Sequence, residues 1–327
     1  MPKILLTLSM AAVAGMSAAI PPQHTISQPE GTFSVVARDP GSGELGMAVQ
    51  SKALATGSRT ITIKGGVAAI AHQSQSNPMY GTLGVELLTA GMPPQQALDL
   101  MLRSDEGRNT RQVAIVDASG RTAAWTGSDA VDWKGHHCGR DYCAQGNTLT
   151  GPDVVQAMVK SFESSTGPLA ERMLSALDAG QAAGGDARGT QAAAIVVAKP
   201  LAGSAGFGDR VVDLRVDDHR APLVELRRLL NMFRSRQLVA NAYARLEEKN
   251  LPEAASAALA ARDRSPESDE AWVVLAATEL RAGRRSTALD ALRRAVELNP
   301  ANRRQLPKNQ NFETLFADPE FKKIVGS

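Results

Sequence analysis

From Thr32 onward the chain alternates short apolar runs with turn residues. Thr32–Arg38 and Leu45–Ser51 flank Asp39-Pro40-Gly41-Ser42-Gly43, and Thr60–Ile63 and Val67–Ala71 follow around Gly65-Gly66. Runs of this length, rich in β-branched and small apolar residues and bounded by Gly and Pro, predict strands and hairpins. The period then changes. Leu83, Leu87 and Leu88 recur at helical spacing up to Gly91, and Pro93-Pro94 opens a second helix with Ala97, Leu98, Met101 and Leu102 on one face. Gln112–Asp117 and Arg121–Trp125, either side of Ala118-Ser119-Gly120, read as another hairpin. Pro152–Ser164 and Pro168–Ala182 read as helices with Pro in the first turn, before strands at Ala192–Val197 and Val211–Val216. Strands and helices in blocks, joined by hairpins, predict a layered α+β unit rather than a parallel doubly wound sheet.

The last third repeats itself. Ala254 and Ala288, Ala261 and Ala295, and Pro266 and Pro300 are each 34 residues apart, the tetratricopeptide period. Trp272, Leu275, Ala276, Ala288, Leu292 and Ala295 fill one such unit, and 312–321 reads as its cap. An all-α repeat domain over 236–327 is therefore expected. The helix 223–236 should pack Leu223, Leu226, Leu229, Leu230 and Phe233 between the two parts.

Before Thr32, Lys3 precedes an apolar run from Ile4 to Ala14 and then Ser17-Ala18-Ala19, the pattern of a secretory signal peptide over 1–19. Residues 20–31 read as a pro-segment or linker. Export to the periplasm or medium is expected, and no segment reaches the roughly 20 apolar residues that span a bilayer. With 327 residues, 43% hydrophobic content and a net charge of +2, the composition is that of a globular chain of about two domains, without the basic footprint of a nucleic-acid binder. In an oxidising compartment Cys138 and Cys143 are expected to form a local disulfide, with an open pair or a zinc site shared with His136 or His137 as the alternatives.

The candidate chemistry begins at Thr32. Cut before it, one residue carries a hydroxyl nucleophile and an α-amine of pKa roughly 7.7–8.0, a base able to take the hydroxyl proton during attack on a carbonyl. A β-branched residue opening an ordinary strand is the other reading.

The stretches Thr32-Phe33-Ser34-Val35-Val36-Ala37-Arg38-Asp39-Pro40, 43–52, Asn77-Pro78-Met79-Tyr80-Gly81, 145–152, Gly185-Asp186-Ala187-Arg188-Gly189-Thr190-Gln191 and 209–219 resemble, in order, a domain-of-unknown-function family (DUF1028) placed with the N-terminal-nucleophile hydrolases. The resemblance covers residues 32–235. It implies a four-layer αββα sandwich and hydrolysis of a C–N amide bond in a small molecule or peptide. Members often carry the threonine directly after the initiator Met or the signal cleavage point. Here about a dozen residues intervene after Ala19, so activity requires a second, autocatalytic cut at Gly31-Thr32. The acidic and lysine partners of proteasome-like threonines have no evident counterpart, since Gln50 and Ser51 stand where an acid would be sought.

Amide hydrolysis also needs oxyanion donors and orienting groups. Asn77 and Asn147 join Thr32 as catalytic candidates, because their amides donate at any pH. Lys52, His72, Gln73, Tyr80, Gln145, Asp186 and Arg188 are the substrate-binding candidates, Arg188 as a bidentate carboxylate clamp. Turn, cap and ion-pair roles are the alternatives for these types. No cofactor or metal is implied. The leading expectation is an exported amide hydrolase whose repeats bind a protein partner. The rival is a non-catalytic binding or scaffold protein on the same fold, and self-association is left open.

Overall fold

The computed structural model describes residues 31–326. The signal peptide expected over 1–19, and the pro-segment up to residue 30, lie outside the described residues. The strands are β1 Thr32–Arg38, β2 Leu45–Ser51, β3 Ile61–Lys64, β4 Ala68–Ser74, β5 Arg111–Asp117, β6 Thr122–Thr126, β7 Gly135–Gly139, β8 Tyr142–Asn147, β9 Ala192–Ala198 and β10 Arg210–Val216. Among and after them run α1 Thr56–Thr60, α2 Met79–Thr89, α3 Pro94–Ser104, α4 Asp153–Ser164, α5 Leu169–Ala182, α6 Pro222–Glu247, α7 Leu251–Arg264, α8 Asp269–Arg281, α9 Arg285–Leu298, α10 Asn302–Gln305 and α11 Pro319–Val325.

The strands form two antiparallel sheets of order β10-β9-β2-β1-β8-β7 and β3-β4-β5-β6. Alternation along each strand assigns its residues to layers. Phe33, Val35 and Ala37 of β1 meet Met158 and Met173 of α4 and α5, while Val36 faces the other way. There Val36, Met47, Val49, Ala69, Ala114 and Val196 fill the space between the sheets, and its many alanines let the sheets approach closely. Beyond the smaller sheet, Ile70 and Ile115 pack on Tyr80, Leu98 and Met101 of α2 and α3. The mixed α+β architecture expected from the pattern is the one observed.

Three details differ from the sequence reading. β4 runs through His72, Gln73 and Ser74 instead of ending at Ala71, because Gln73 finds hydrogen-bond partners between the sheets. β7, Gly-His-His-Cys-Gly, carries almost no apolar signal and is held by pairing with β8, including Cys138 opposite Cys143. Those two cysteines form a disulfide. Finally, a division at 235/236 falls inside α6, one helix of 26 residues. Its Leu223, Leu226 and Leu230 belong to the α/β core, whereas Ala242 and Leu246 belong to helical cores. Arg234 forks onto Glu171 of α5 at 2.9 and 3.0 Å, and Ser235 Oγ donates to the Ala261 carbonyl at 2.8 Å, so the joint is pinned on both sides.

The rest is helical. Residues 34 apart occupy equivalent places: Ala254 and Ala261 are fully buried on α7, as are Ala288 and Ala295 on α9. Several exposed arginines of this region are paired, Arg285 with Asp318, Arg293 with Asp290 and Glu320, and Arg294 with Glu297. Among the described residues no helix is long and apolar enough to cross a membrane.

Candidate functional site

Thr32 opens the central strand β1, with Ser51 opposite it on β2 and Asn147 opposite it on β8. Because strand parity is strict, every second residue of the central strands points between the sheets at this end: Thr32 and Ser34, Ser51, Gln145 and Asn147, and, from the facing sheet, Gln73 and Gln112. All seven are at most 2% exposed. A dry apolar layer thus ends in a polar one.

Gln112 is its hub. Its Oε1 accepts from Gln73 Nε2 at 2.8 Å and from Asn147 Nδ2 at 3.0 Å, and its Nε2 donates to the Gly146 carbonyl at 2.8 Å and Thr126 Oγ1 at 2.9 Å. Gln73 Nε2 also donates to the Thr32 carbonyl at 3.1 Å, and Ser34 Oγ donates to Gln73 Oε1 at 2.6 Å. Neutral amides thereby fix the threonine's backbone from across the sheet gap. Gln145 Nε2 reaches Ser34 Oγ only at 3.4 Å, and its Oε1 is buried without a partner among the described residues. Thr148, at φ 55°, and Ser74, at φ 67°, hold the adjoining strand ends in the left-handed region, where strain is tolerated only if the surroundings enforce it.

The bond preceding Thr32 is held as closely. Thr32 Oγ1 donates to Ser51 Oγ at 3.1 Å, and Ser51 Oγ donates to the Gly31 carbonyl at 2.5 Å. Arg188 Nη2 donates to the same carbonyl at 2.8 Å. Arg188 is aimed by Asp186, which accepts from its Nη2 at 2.8 Å and its Nε at 3.2 Å. The Asp186 carboxylate also accepts from the Lys52 backbone N–H at 3.0 Å and lies directly against Gly31. A Cβ on residue 31 would come within 2.7 Å of Asp186 Oδ1, so only glycine fits there.

Of the residues singled out from the sequence, Thr32, Gln73, Asn147, Gln145, Asp186 and Arg188 are brought to one end of the six-stranded sheet. Asn147 is turned to Gln112 rather than left open. Lys52 contributes its backbone to Asp186, while its exposed Nζ reaches the Thr190 carbonyl at 3.5 Å. His72, Asn77 and Tyr80 are not brought there. His72 faces α2, between Thr62 Oγ1 at 3.0 Å and Ser76 Oγ at 2.8 Å, and burial pushes its pKa down to about 4. Asn77 Oδ1 accepts from the Met79 N–H at 3.0 Å. Tyr80 donates to Asp105 at 3.0 Å; burial and that carboxylate raise its pKa. Burial would raise Asp105 itself, but donors from Arg111 and Tyr80 outweigh it and hold the carboxyl low. These three therefore brace the α2 entrance.

Sequence reasoning missed Ser51 as the partner of Thr32, and Gln112 altogether. The signal was parity. Ser51 continues Leu45, Met47 and Val49, and Gln112 precedes Ala114 and Val116, on the faces that meet between the sheets.

Among the described residues no cluster of three or more His, Cys, Asp or Glu is placed to hold a metal ion. The chain is similar to a solved protein from Silicibacter pomeroyi of the same family: 31% identity over 61% of this chain and 84% of that one, with a TM-score of 0.56. No curated protein matches it. The matching family model covers residues 32–226, and it begins at the threonine on which this site converges; the chain belongs to the Family of unknown function (DUF1028).

Proposed function

We propose that this protein is an N-terminal-threonine amide hydrolase of αββα architecture, matured by cleavage of its own Gly31–Thr32 bond. The observation that carries the reading is the hydroxyl chain from Thr32 Oγ1 through Ser51 Oγ to the Gly31 carbonyl, with Arg188 as a second donor on that oxygen. Attack of Thr32 Oγ1 on the Gly31 carbonyl carbon places negative charge on an oxygen already facing two donors, one of them cationic. The threonine proton passes through the Ser51 hydroxyl and is delivered to the threonine nitrogen as the C–N bond breaks, and water hydrolyses the resulting ester. Gly31 leaves as a carboxylate. Thr32 is then left with the free amine that serves as base for substrate amides.

Two further parts belong to this proposal. The leader over 1–19 would export the chain, and the helices from α6 onward would act as tetratricopeptide-type repeats that bind a protein partner, supported by the 34-residue equivalence of α7 and α9. The rival reading, a non-catalytic binding or scaffold protein, has one observation in its favour: with Gly31 attached, Thr32 is 2% exposed, so an uncleaved chain presents no nucleophile to a substrate. Intact-mass analysis of purified protein separates them. A start at Thr32, together with turnover in a screen of amides, lactams and short peptides that Thr32→Ala abolishes, is expected. A chain that keeps residues before Thr32 and turns nothing over would establish the rival.

A further inference from the structure

A cleft of about 510 Å³ opens beside this site, lined by Lys52, Thr190, Gln191, Asp218, His219 and Arg220. It lies at the same end of the six-stranded sheet as Thr32. Ser51, the residue before Lys52, pairs with Thr32, and Ala192, the residue after Gln191, pairs with Ser51. With strands about 4.8 Å apart, the cleft is one to two strand spacings, or roughly 5–10 Å, from the threonine.

Its chemistry is one-sided. The single carboxylate, Asp218, already accepts from Gln191 Nε2 at 3.1 Å. His219 Nδ1 accepts from the Ala221 N–H at 3.0 Å, which places the ring proton on Nε2 as a donor. Thr190 Oγ1 closes the rim by donating to the Arg220 carbonyl at 2.9 Å. The Arg220 guanidinium has no partner among the described residues, and the Lys52 ammonium has only the long contact to Thr190. Two residues after Arg220, α6 starts without a side-chain cap, and its first-turn carboxylate, Glu225, is taken up by Arg228. Arg188, the sequence-based choice for a carboxylate clamp, is committed instead to Asp186 and the Gly31 carbonyl.

We infer that Lys52, His219 and Arg220 form a carboxylate subsite, and that the substrates are amides carrying a carboxylate a few bonds from the scissile carbonyl. The substrate half of this inference rests on the hydrolase reading; the subsite itself does not. Two charge-assisted contacts of this kind make an acid bind at least about tenfold tighter than its neutral isostere.

The test is titration of the purified protein, followed by NMR, with N-acetylglycine and with N-acetylglycinamide, which differ only in the carboxylate. Saturable binding of the acid at least tenfold tighter than the amide, weakened by salt, and loss of that preference in Lys52→Met/Arg220→Gln, is expected. Both side chains are exposed, and Lys52→Met alone, checked by circular dichroism, covers the case where the double variant misfolds. Equal binding of acid and amide, or a preference that survives the double substitution, overturns the subsite. Turnover of neutral and acidic amides with equal KM overturns the substrate class while leaving the hydrolase reading intact. An acid preference without any turnover keeps the subsite and removes the hydrolase.

Discussion

Arg188 Nη2 lies 2.8 Å from the carbonyl oxygen of Gly31, although 157 residues separate the two in the chain. That contact draws a cationic donor from the loop before β9 onto the one peptide bond whose cleavage would expose Thr32. Losing one oxyanion donor typically costs about 10²–10³ in rate. Arg188→Met should slow the appearance of the Thr32 terminus by that order, followed by mass spectrometry against time, with a larger loss than in Arg188→Lys.

Gly31→Ala should act through shape rather than charge. Its Cβ would meet the Asp186 carboxylate at 2.7 Å, so the chain before Thr32 must shift away from Arg188 and Ser51. Cleavage should nearly stop, and Gly31→Ala combined with Asp186→Ala should regain less than full rate, because Arg188 then loses its aim.

At the proposed nucleophile, Thr32→Ser should retain part of both cleavage and turnover, since hydroxyl and amine survive, whereas Thr32→Ala should abolish both. Urea unfolding should put Thr32→Ala within about 1 kcal/mol of wild type, because a strand-end hydroxyl contributes one hydrogen bond.

Gln112→Leu should be far more damaging to the fold. It strips partners from Gln73, Asn147 and the Gly146 carbonyl in one step, and each buried polar group left unpaired costs about 1–3 kcal/mol. A loss of about 3 kcal/mol or more in the same unfolding experiment is expected.

How much of this was legible can be traced residue by residue. The strands around Thr32 follow from short apolar runs bounded by turn residues, being buried on both faces, and the helix on Ala97, Leu98 and Met101 follows from its period, because it buries one face. The roles of Gln73 and Gln112 did not, since strand parity puts a glutamine on a face but does not name its partner across the gap. Asp186 and Arg188 read from the sequence as substrate-binding candidates, but nothing local reveals that they close on Gly31 from the far side of the fold. His72 shares a strand with Gln73 and yet faces away from the site, a difference of one residue of parity.

His72 gives a pH prediction. Its folded-state pKa is lowered to about 4 by burial, whereas the unfolded value is about 6.5. The unfolded chain therefore binds the extra proton between these values, and stability present above pH 6.5 is lost as the pH falls toward 4. The loss should be on the order of 3 kcal/mol. His72→Gln should flatten the dependence of urea midpoints on pH across that window.

Cysteines 138 and 143 close a loop of only a few residues. The loop-entropy contribution is then about 2 kcal/mol, at the low end for disulfides. Reduction, or Cys138→Ser with Cys143→Ser, should lower the unfolding free energy by no more than that and leave cleavage at Thr32 intact.

The family match ends at residue 226, just inside a helix that continues to Glu247. The helical array is thus joined by prolonging a rod already anchored in the α/β core, not by a tether. At about 1.5 Å per residue, the rod is about 39 Å long. A flexible leash would let a passenger sample many poses, and its local concentration would be set by leash length. A rod fixes a heading instead: the array itself stands at one distance and one angle from the neighbouring unit, as a sight is fixed to a barrel.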